Sequence, residues 1–235
     1  MGSEMCIRDS LRGGRPGRDG RYARSMGDDD LHRITTIERL REVVGHPFDG
    51  VELKVYDHLM PEAVAFLARS PFLVLATSDA DGNADASPKG DEPGFVEVED
   101  ERTLLIPDRL GNKLAYGLTN ILANPEVGCL FLIPGTTETL RVNGRAELRD
   151  DPDLLERLTA RGKPPVLVIR LHVEQVFFHC SKAFLRSQLW KHDTWPEKQK
   201  ISFGRMFAER IGSGDDVSLV ELIDAGVEQD AQTNL

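Results

Sequence analysis

No apolar run in the sequence approaches the roughly eighteen residues that a membrane-spanning helix requires, and no apolar signal core follows the basic residues of its N-terminus. A soluble, cytoplasmic protein is the expectation. An excess of positive charge is also missing, with 39 acidic residues against 29 basic ones and a formal net charge of −10. That balance argues against a nucleic-acid partner, because phosphate backbones bind proteins that offer a net cationic face. Any cationic site must be local. Cysteine is scarce, and Cys6, Cys129 and Cys180 are an odd number with no CxxC spacing, so neither a disulfide framework nor a zinc knuckle is indicated. Cys129 lies in an apolar stretch and reads as a buried free thiol. The histidines form no HExxH, which leaves a structural role for His172 and His179, and no serine sits in a Gly-x-Ser-x-Gly elbow. The Gly-Gly-Arg-Pro-Gly run near the start lacks the GK[ST] ending of a phosphate loop. There is no internal repeat.

What the sequence does contain is organised around Ile106 to Leu148. Within it, Leu140, Val142, Gly144, Ala146 and Leu148 alternate with Thr139, Arg141, Asn143, Arg145 and Glu147, the two-residue period of a half-buried strand. One face packs into a core, and the other presents cations. Upstream, residues 1–25 are Gly- and Arg-rich without apolar periodicity and are expected to be disordered. The run SEMCIRDS within them resembles translated adapter read-through, with Met26 as a sensible true start. A helical segment is expected over 26–56, because Ile34, Ile37, Leu40, Val43 and Val44 recur at helical spacing before Gly45 and Pro47. A second helix is expected from Met60 to Arg69, with Ala63, Phe66 and Leu67 inward.

The central segment, 57–195, reads as a meander. Strands are expected over 72–77, 83–89, 95–99, 103–106, 127–133, 139–148, 166–172 and, after a kink, 176–179. Helices are expected near 113–122, 151–161 and 183–189. Strands this dense, broken by so few helices, fit a small closed or nearly closed antiparallel barrel rather than a βαβ sheet. The fold class is therefore mainly β (α+β), with peripheral helices. Residues 196–235, with amphipathic pieces around 203–211 and 219–224, read as a helical appendage.

Three pieces in order carry a resemblance: the turn Gly111-Asn112-Lys113, the strand start Asn124-Pro125-Glu126-Val127, and Arg141 through Ala146. Together they resemble the FMN-binding split β-barrel proteins related to pyridoxamine 5'-phosphate oxidase, in particular the uncharacterised flavoprotein branch, over roughly Asp57 to Trp195. The resemblance implies a homodimer with FMN at the subunit interface and a two-electron oxidoreductase acting on a small-molecule substrate, with reduced nicotinamide, NAD(P)H, as candidate donor. A phosphate dianion needs cations and donors, and Lys89, Arg109, Lys113 and Arg141, with Ser87, Asn112 and Thr139, are the candidates. Lys89 matches the lysine ending the family's second strand. Lys89 and Arg109 stay open as the main phosphate anchor. The late segment supplies Lys182, Arg186, Ser187 and Trp190, which the resemblance places on the flavin across the dimer interface. The further Arg, Tyr and His set that recognises pyridoxamine phosphate has no counterpart here, so pyridoxamine oxidation is not implied. The alternatives are a non-catalytic flavin-binding or carrier protein, and an F420- or haem-binding member of the superfamily.

Overall fold

The computed structural model describes residues 32–109, 111, 113–214 and 216–233. The expected leader over 1–25 lies outside them, as does Asn112. The chain divides into two compact units, one ending at Val51 and the other running from Glu52 to Leu235. In the first unit, helix α1 (Ile37–Val44) is capped by Thr36, whose hydroxyl accepts a bond from the Arg39 amide, and ends at Gly45 with positive φ.

The second unit is built on one seven-stranded antiparallel sheet in the order β2-β1-β5-β6-β7-β4-β3. Its strands are β1 (Phe72–Ser78), β2 (Ala84–Gly90), β3 (Glu97–Asp100), β4 (Thr103–Asp108), β5 (Glu126–Leu132), β6 (Thr139–Arg149) and β7 (Leu167–His179). Two-residue alternation decides the faces. On β1, Leu73, Leu75 and Thr77 are buried while Phe72 and Ala76 are exposed. The register carries this parity across the sheet, since Leu75 pairs with Cys129 and Cys129 with Val142. The inner face so defined holds the core of Leu73, Leu75, Phe131, Leu140, Val142, Leu171 and their neighbours. Burial pushes the Cys129 thiol up to about 12, which makes it inert.

The sheet is curled. β2 is first in its order and β4 sixth, yet Lys89 at the end of β2 pairs with Asp108 at the end of β4, and Asp91 with Arg109 just beyond both strands. Side chains, not a backbone ladder, close this seam, which is the split barrel expected from the sequence. Helix α2 (Pro61–Leu67) buries Ala63, Phe66 and Leu67 against the core, as its spacing implies. Helix α4 (Pro152–Arg157) covers the outer side of β4 and β7 through a second cluster of Leu105, Val168 and Leu158, joined by Leu154 and Leu155. Leu105 and Val168 are thus fully buried on the face away from the main core, each contributing roughly 1.5–3 kcal/mol.

Besides the later start of the helix expected near 113–122, three elements differ from the sequence expectation. The kink expected after His172 is a β-bulge inside one continuous β7, where Gly144 pairs with Val173 but Asn143 with Gln175. Helix α4 stops at Arg157, short of Arg161, which takes a left-handed φ of 51°. The weak piece at 219–224 lies in the first half of a 17-residue helix, α7 (Val217–Thr233). That helix packs on α6 (Phe203–Arg210) so closely that a Cβ on Gly204 would fall 2.2 Å from the Val220 carbonyl oxygen. Asp224 of α7 accepts bonds from Ser202 Oγ and the Gly204 amide, which ties it to the start of α6. Among the described residues no helix is long and apolar enough to cross a membrane.

Gly144 faces the bulge, and a Cβ there would lie 1.9 Å from the His172 carbonyl oxygen. Gly144→Ala is expected to lower unfolding free energy by about 3 kcal/mol, because backbone must move. At Gly128 the only close neighbour is the Asn143 amide oxygen at 3.1 Å, which can swing aside, so Gly128→Ala is expected to cost under about 1 kcal/mol. Denaturant unfolding of both variants checks the pair, and equal losses would contradict the bulge geometry.

Candidate functional site

A cleft of about 610 Å³ opens at the seam between β2 and β4, floored by Leu75 and walled by helix α3 (Tyr116–Ala123). Because Lys89 pairs with Leu73, Ser87 with Leu75 and Asp85 with Thr77, alternate residues of β2 share the inner face of β1. Asp85, Ser87 and Lys89 therefore line one wall of the cleft, with Ser87 Oγ donating to an Asp85 carboxylate oxygen at 3.3 Å. Helix α3 is fixed to β1 by Asn120 Nδ2 donating to Thr77 Oγ1 at 3.0 Å and Asn124 Nδ2 donating to Ser78 Oγ at 2.8 Å. Those bonds set the position of its first turn.

That first turn is chemically open. Its cap residue, Ala115, has no side-chain acceptor to offer, and Tyr116, Gly117 and Leu118 all line the cleft. The leading amides of a helix have no partner within it, and the macrodipole favours an anion beside them. Lys113 and Ala115 both hold left-handed φ, 60° and 53°, a conformation that costs a non-glycine residue about 1–2 kcal/mol. This strain lies at the cleft, where backbone outliers commonly mark function. Helix α3 accordingly begins at Tyr116 rather than at Lys113.

The cleft's charges are Lys89, Arg109 and Lys113 against Asp85 and Asp108. Their commitments differ. Arg109 donates from Nε to Asp91 at 2.8 Å, from one terminal nitrogen to the Leu158 carbonyl at 3.0 Å and from the other to the Lys163 carbonyl at 3.4 Å. All three of its nitrogens bond protein atoms. Among the described residues Lys89 bonds Asp108 alone, which leaves further ammonium donors for the cleft it lines, and Lys113 is exposed at the rim. Asp91, whose side chain is only 1% exposed, takes Arg109 on one oxygen and Arg161 on the other at 2.8 Å each. Burial opposes its ionisation, but the Glu92 amide and the two guanidinium groups outweigh burial and hold its carboxyl below the usual range.

The eleven residues expected to hold the cofactor fall into separate groups. Ser87, Lys89, Arg109 and Lys113 meet in the cleft. Thr139 and Arg141 do not, because Arg141 pairs with Leu130 and Leu130 with Val74, the outward parity of the sheet. Arg141 and Lys89 lie on opposite faces of one sheet. Lys182, Arg186 and Ser187 belong to a third group on helix α5 (Lys182–Ser187), directly after β7. Lys182 and Arg186 are exposed, and Ser187 Oγ donates to the Phe184 carbonyl. Trp190 stacks on Phe184 at 5.7 Å and donates from its indole to the Thr136 carbonyl at 2.8 Å. Asn112 lies outside the described residues. Sequence reasoning missed Asp85, Asp91, Asp108 and the first turn of α3. The period of β2 would have placed Asp85 with Ser87 and Lys89.

Residues 59–180, just over half of the chain, match the family model described as pyridoxamine 5'-phosphate oxidase. No curated protein matches the chain. Similar solved structures include a candidate pyridoxamine 5'-phosphate oxidase from Lactobacillus delbrueckii, 28% identical over 52% of this chain and 95% of that one, with a TM-score of 0.41. HupZ from Group A Streptococcus is 21% identical over 51% of this chain and 92% of its own, with a TM-score of 0.42. An FMN-binding protein from Syntrophomonas wolfei is 10% identical over 52% and 86%, with a TM-score of 0.42.

Asp91 gives this geometry a pH signature. A depressed carboxyl contributes stability that is present above its unfolded value, about 3.9, and is lost as pH falls through the lower folded value. Asp91→Asn is expected to destabilise the protein at pH 7 by roughly 2–4 kcal/mol, since one member of a largely buried ion pair is removed. The gap to the native chain should narrow as pH falls below about 4. Denaturant unfolding at pH 7 and pH 3 measures both, and a gap of the same size at both values would contradict the assignment.

Proposed function

The chain belongs to the pyridoxamine 5'-phosphate oxidase family, and from that premise we propose that the seam cleft binds FMN and that the protein is a flavin-dependent oxidoreductase for a small organic substrate. The carrying observation is the donor set around the first turn of α3, with Lys89 and Lys113 beside uncapped helix amides. On a chain of net charge −10, this is a local site fitted to a dianion. Charge-assisted bonds and a helix N-terminus are what phosphate groups select. The volume is within the range of small-molecule sites, about 300–1,000 Å³.

Within this reading Lys89 and Lys113 are the phosphate anchors, and Arg109 is a positioning residue, holding the β4–α3 connection through Asp91. Asp108 orients the Lys89 ammonium. Flavin, once bound, supplies the two-electron chemistry, and the protein supplies binding, orientation and the surrounding field. NAD(P)H is the proposed electron donor.

The reading includes a homodimer. The outward sides of β1 and β5 carry Phe72, Val74, Leu130 and Leu132 in adjacent register, half-buried or exposed, and a second copy covering them would remove an apolar sheet face from water. Lys182, Arg186, Ser187 and Trp190 of one protomer would then close over the cleft of the other.

The test is an absorption spectrum of protein purified without added cofactor, with mass measurement of the heat-released ligand. Flavin bands and the mass of FMN are expected, together with saturable stabilisation of stripped protein by added FMN. Lys89→Gln is expected to weaken FMN binding by roughly tenfold or more, the size of one charge-assisted contact. A colourless protein that FMN does not stabilise would overturn the reading. Bound FMN that NAD(P)H does not reduce would instead favour a carrier.

A further inference from the structure

The C-terminal helices leave apolar surface exposed to water. Helix α6 buries only Gly204 and Ala208, and it is at Gly204 that the Val220 backbone of α7 comes close. Phe203, Met206, Phe207 and, just past the helix end, Ile211 are exposed, and offsets of three, four and eight residues put them on one stripe. Helix α7 runs for 17 residues without one buried residue. Short helices persist in water mainly when an apolar face is covered, and here the uncovered face is the larger one. These helices also lie beyond the span 59–180 that matches the family, so the surface is a property of this chain rather than of the family fold.

The stripe has a polarity along its length. Arg210 follows Phe203 by seven residues, on the same side of the helix, and is exposed. Arg205 and Glu209, opposite charges at i, i+4, lie off the stripe. Helix α7 carries Glu221, Asp224, Glu228 and Asp230 and no base. Asp224 and Glu228 are held at the start of α6, the first by Ser202 and the Gly204 amide and the second by Lys200. Two carboxylates against one ammonium make that end net negative, while the other end, at Arg210, is positive. An anionic membrane does not fit beside the carboxylates of α7. A second copy fits in one orientation. Antiparallel packing about a two-fold axis between Met206 and Phe207 sets Met206 against Phe207 of the partner subunit, and Arg210 over Phe203 of the partner subunit at its acidic end. Parallel packing would set Arg210 against its own copy.

We propose that the exposed stripe of α6 is the contact surface for α6 of a second copy of this chain, so that two α6–α7 hairpins join in an antiparallel four-helix bundle. Symmetry makes each complementary contact occur twice, thioether on aromatic ring and guanidinium on aromatic ring. The bundle goes beyond the flavin reading and is separate from the sheet-face pairing, since neither the seam cleft nor the outward side of β1 and β5 contributes a residue to it.

The full chain is prepared deuterated with protonated, 13C-labelled methionine methyls, mixed with an equal amount of unlabelled chain and left until subunits have exchanged. Any nuclear Overhauser cross-peak from a labelled methyl to a ring proton then comes from the other protomer. A cross-peak from Met206 to Phe207 is expected, with a Met206 methyl shift that depends on protein concentration and so measures the affinity. Phe207→Glu is expected to remove the cross-peak and weaken the pairing at least about thirtyfold, as for an interface anchor. Arg210→Gln is expected to weaken it about tenfold. Leu222→Glu, on the side of α7 turned away from Val220, is expected to leave it unchanged. All of these side chains are exposed, and the native chain alone is decisive, because the readout is local to α6 and does not depend on bound flavin. No cross-peak at millimolar protein would overturn the pairing and leave the stripe to a different protein. A cross-peak that survives Phe207→Glu, or equal weakening by Leu222→Glu, would overturn it as well.

Discussion

The architecture depends on how the curled sheet is closed. β2 and β4 share no ladder, so the seam is held by Lys89 with Asp108 and by Asp91 between Arg109 and Arg161. A carboxylate buried to the degree of Asp91 is costly unless its oxygens are fully used, and here each oxygen meets a guanidinium while an amide adds a further bond. Because side chains are longer than a backbone ladder is wide, a seam closed this way leaves room between its strands. The cleft is that room, and helix α3 walls it because Asn120 and Asn124 fix the helix to β1.

The same sheet separates two kinds of cation. Residues of inner parity on β2 reach the cleft, and residues of outer parity on β6 reach the opposite surface. Most strand arginines are spent on local acids, in keeping with the modest worth of exposed pairs. Lys89 and Arg141 depart from that pattern in different ways. Lys89 has a partner but lines a cavity with donors to spare, whereas Arg141, among the described residues, has only an aromatic face and a second cation across it. A tightly packed C-terminal helix pair, α6 with α7, completes the unit.

Much of this was legible in the residues. The alternation of Leu140 to Leu148 marked β6 and its inner face, and the spacing of Ala63, Phe66 and Leu67 marked the buried side of α2. The density of short strands indicated a split barrel. What could not be read was anything that needs register between distant strands. Whether Arg141 shares a face with Lys89 depends on the pairing of β2 with β1, β1 with β5 and β5 with β6, and a shift of one residue at any step inverts the answer. Arg109 could not be told from a phosphate ligand, because its partner Asp91 looks in sequence like one more turn acid. The start of α3 was hidden for another reason, since left-handed Lys113 and Ala115 break a pattern that propensity alone would continue.

The central claim is that the seam cleft recognises a phosphate as well as an apolar ring. Calorimetric titration of the stripped protein with FMN and with riboflavin, which differ by that phosphate alone, tests it most directly. FMN is expected to bind roughly a hundredfold more tightly, the sum of about two charge-assisted contacts. Equal affinity for the two ligands would show that Lys89, Lys113 and the first turn of α3 do not read the phosphate, and would contradict the assignment of the cleft.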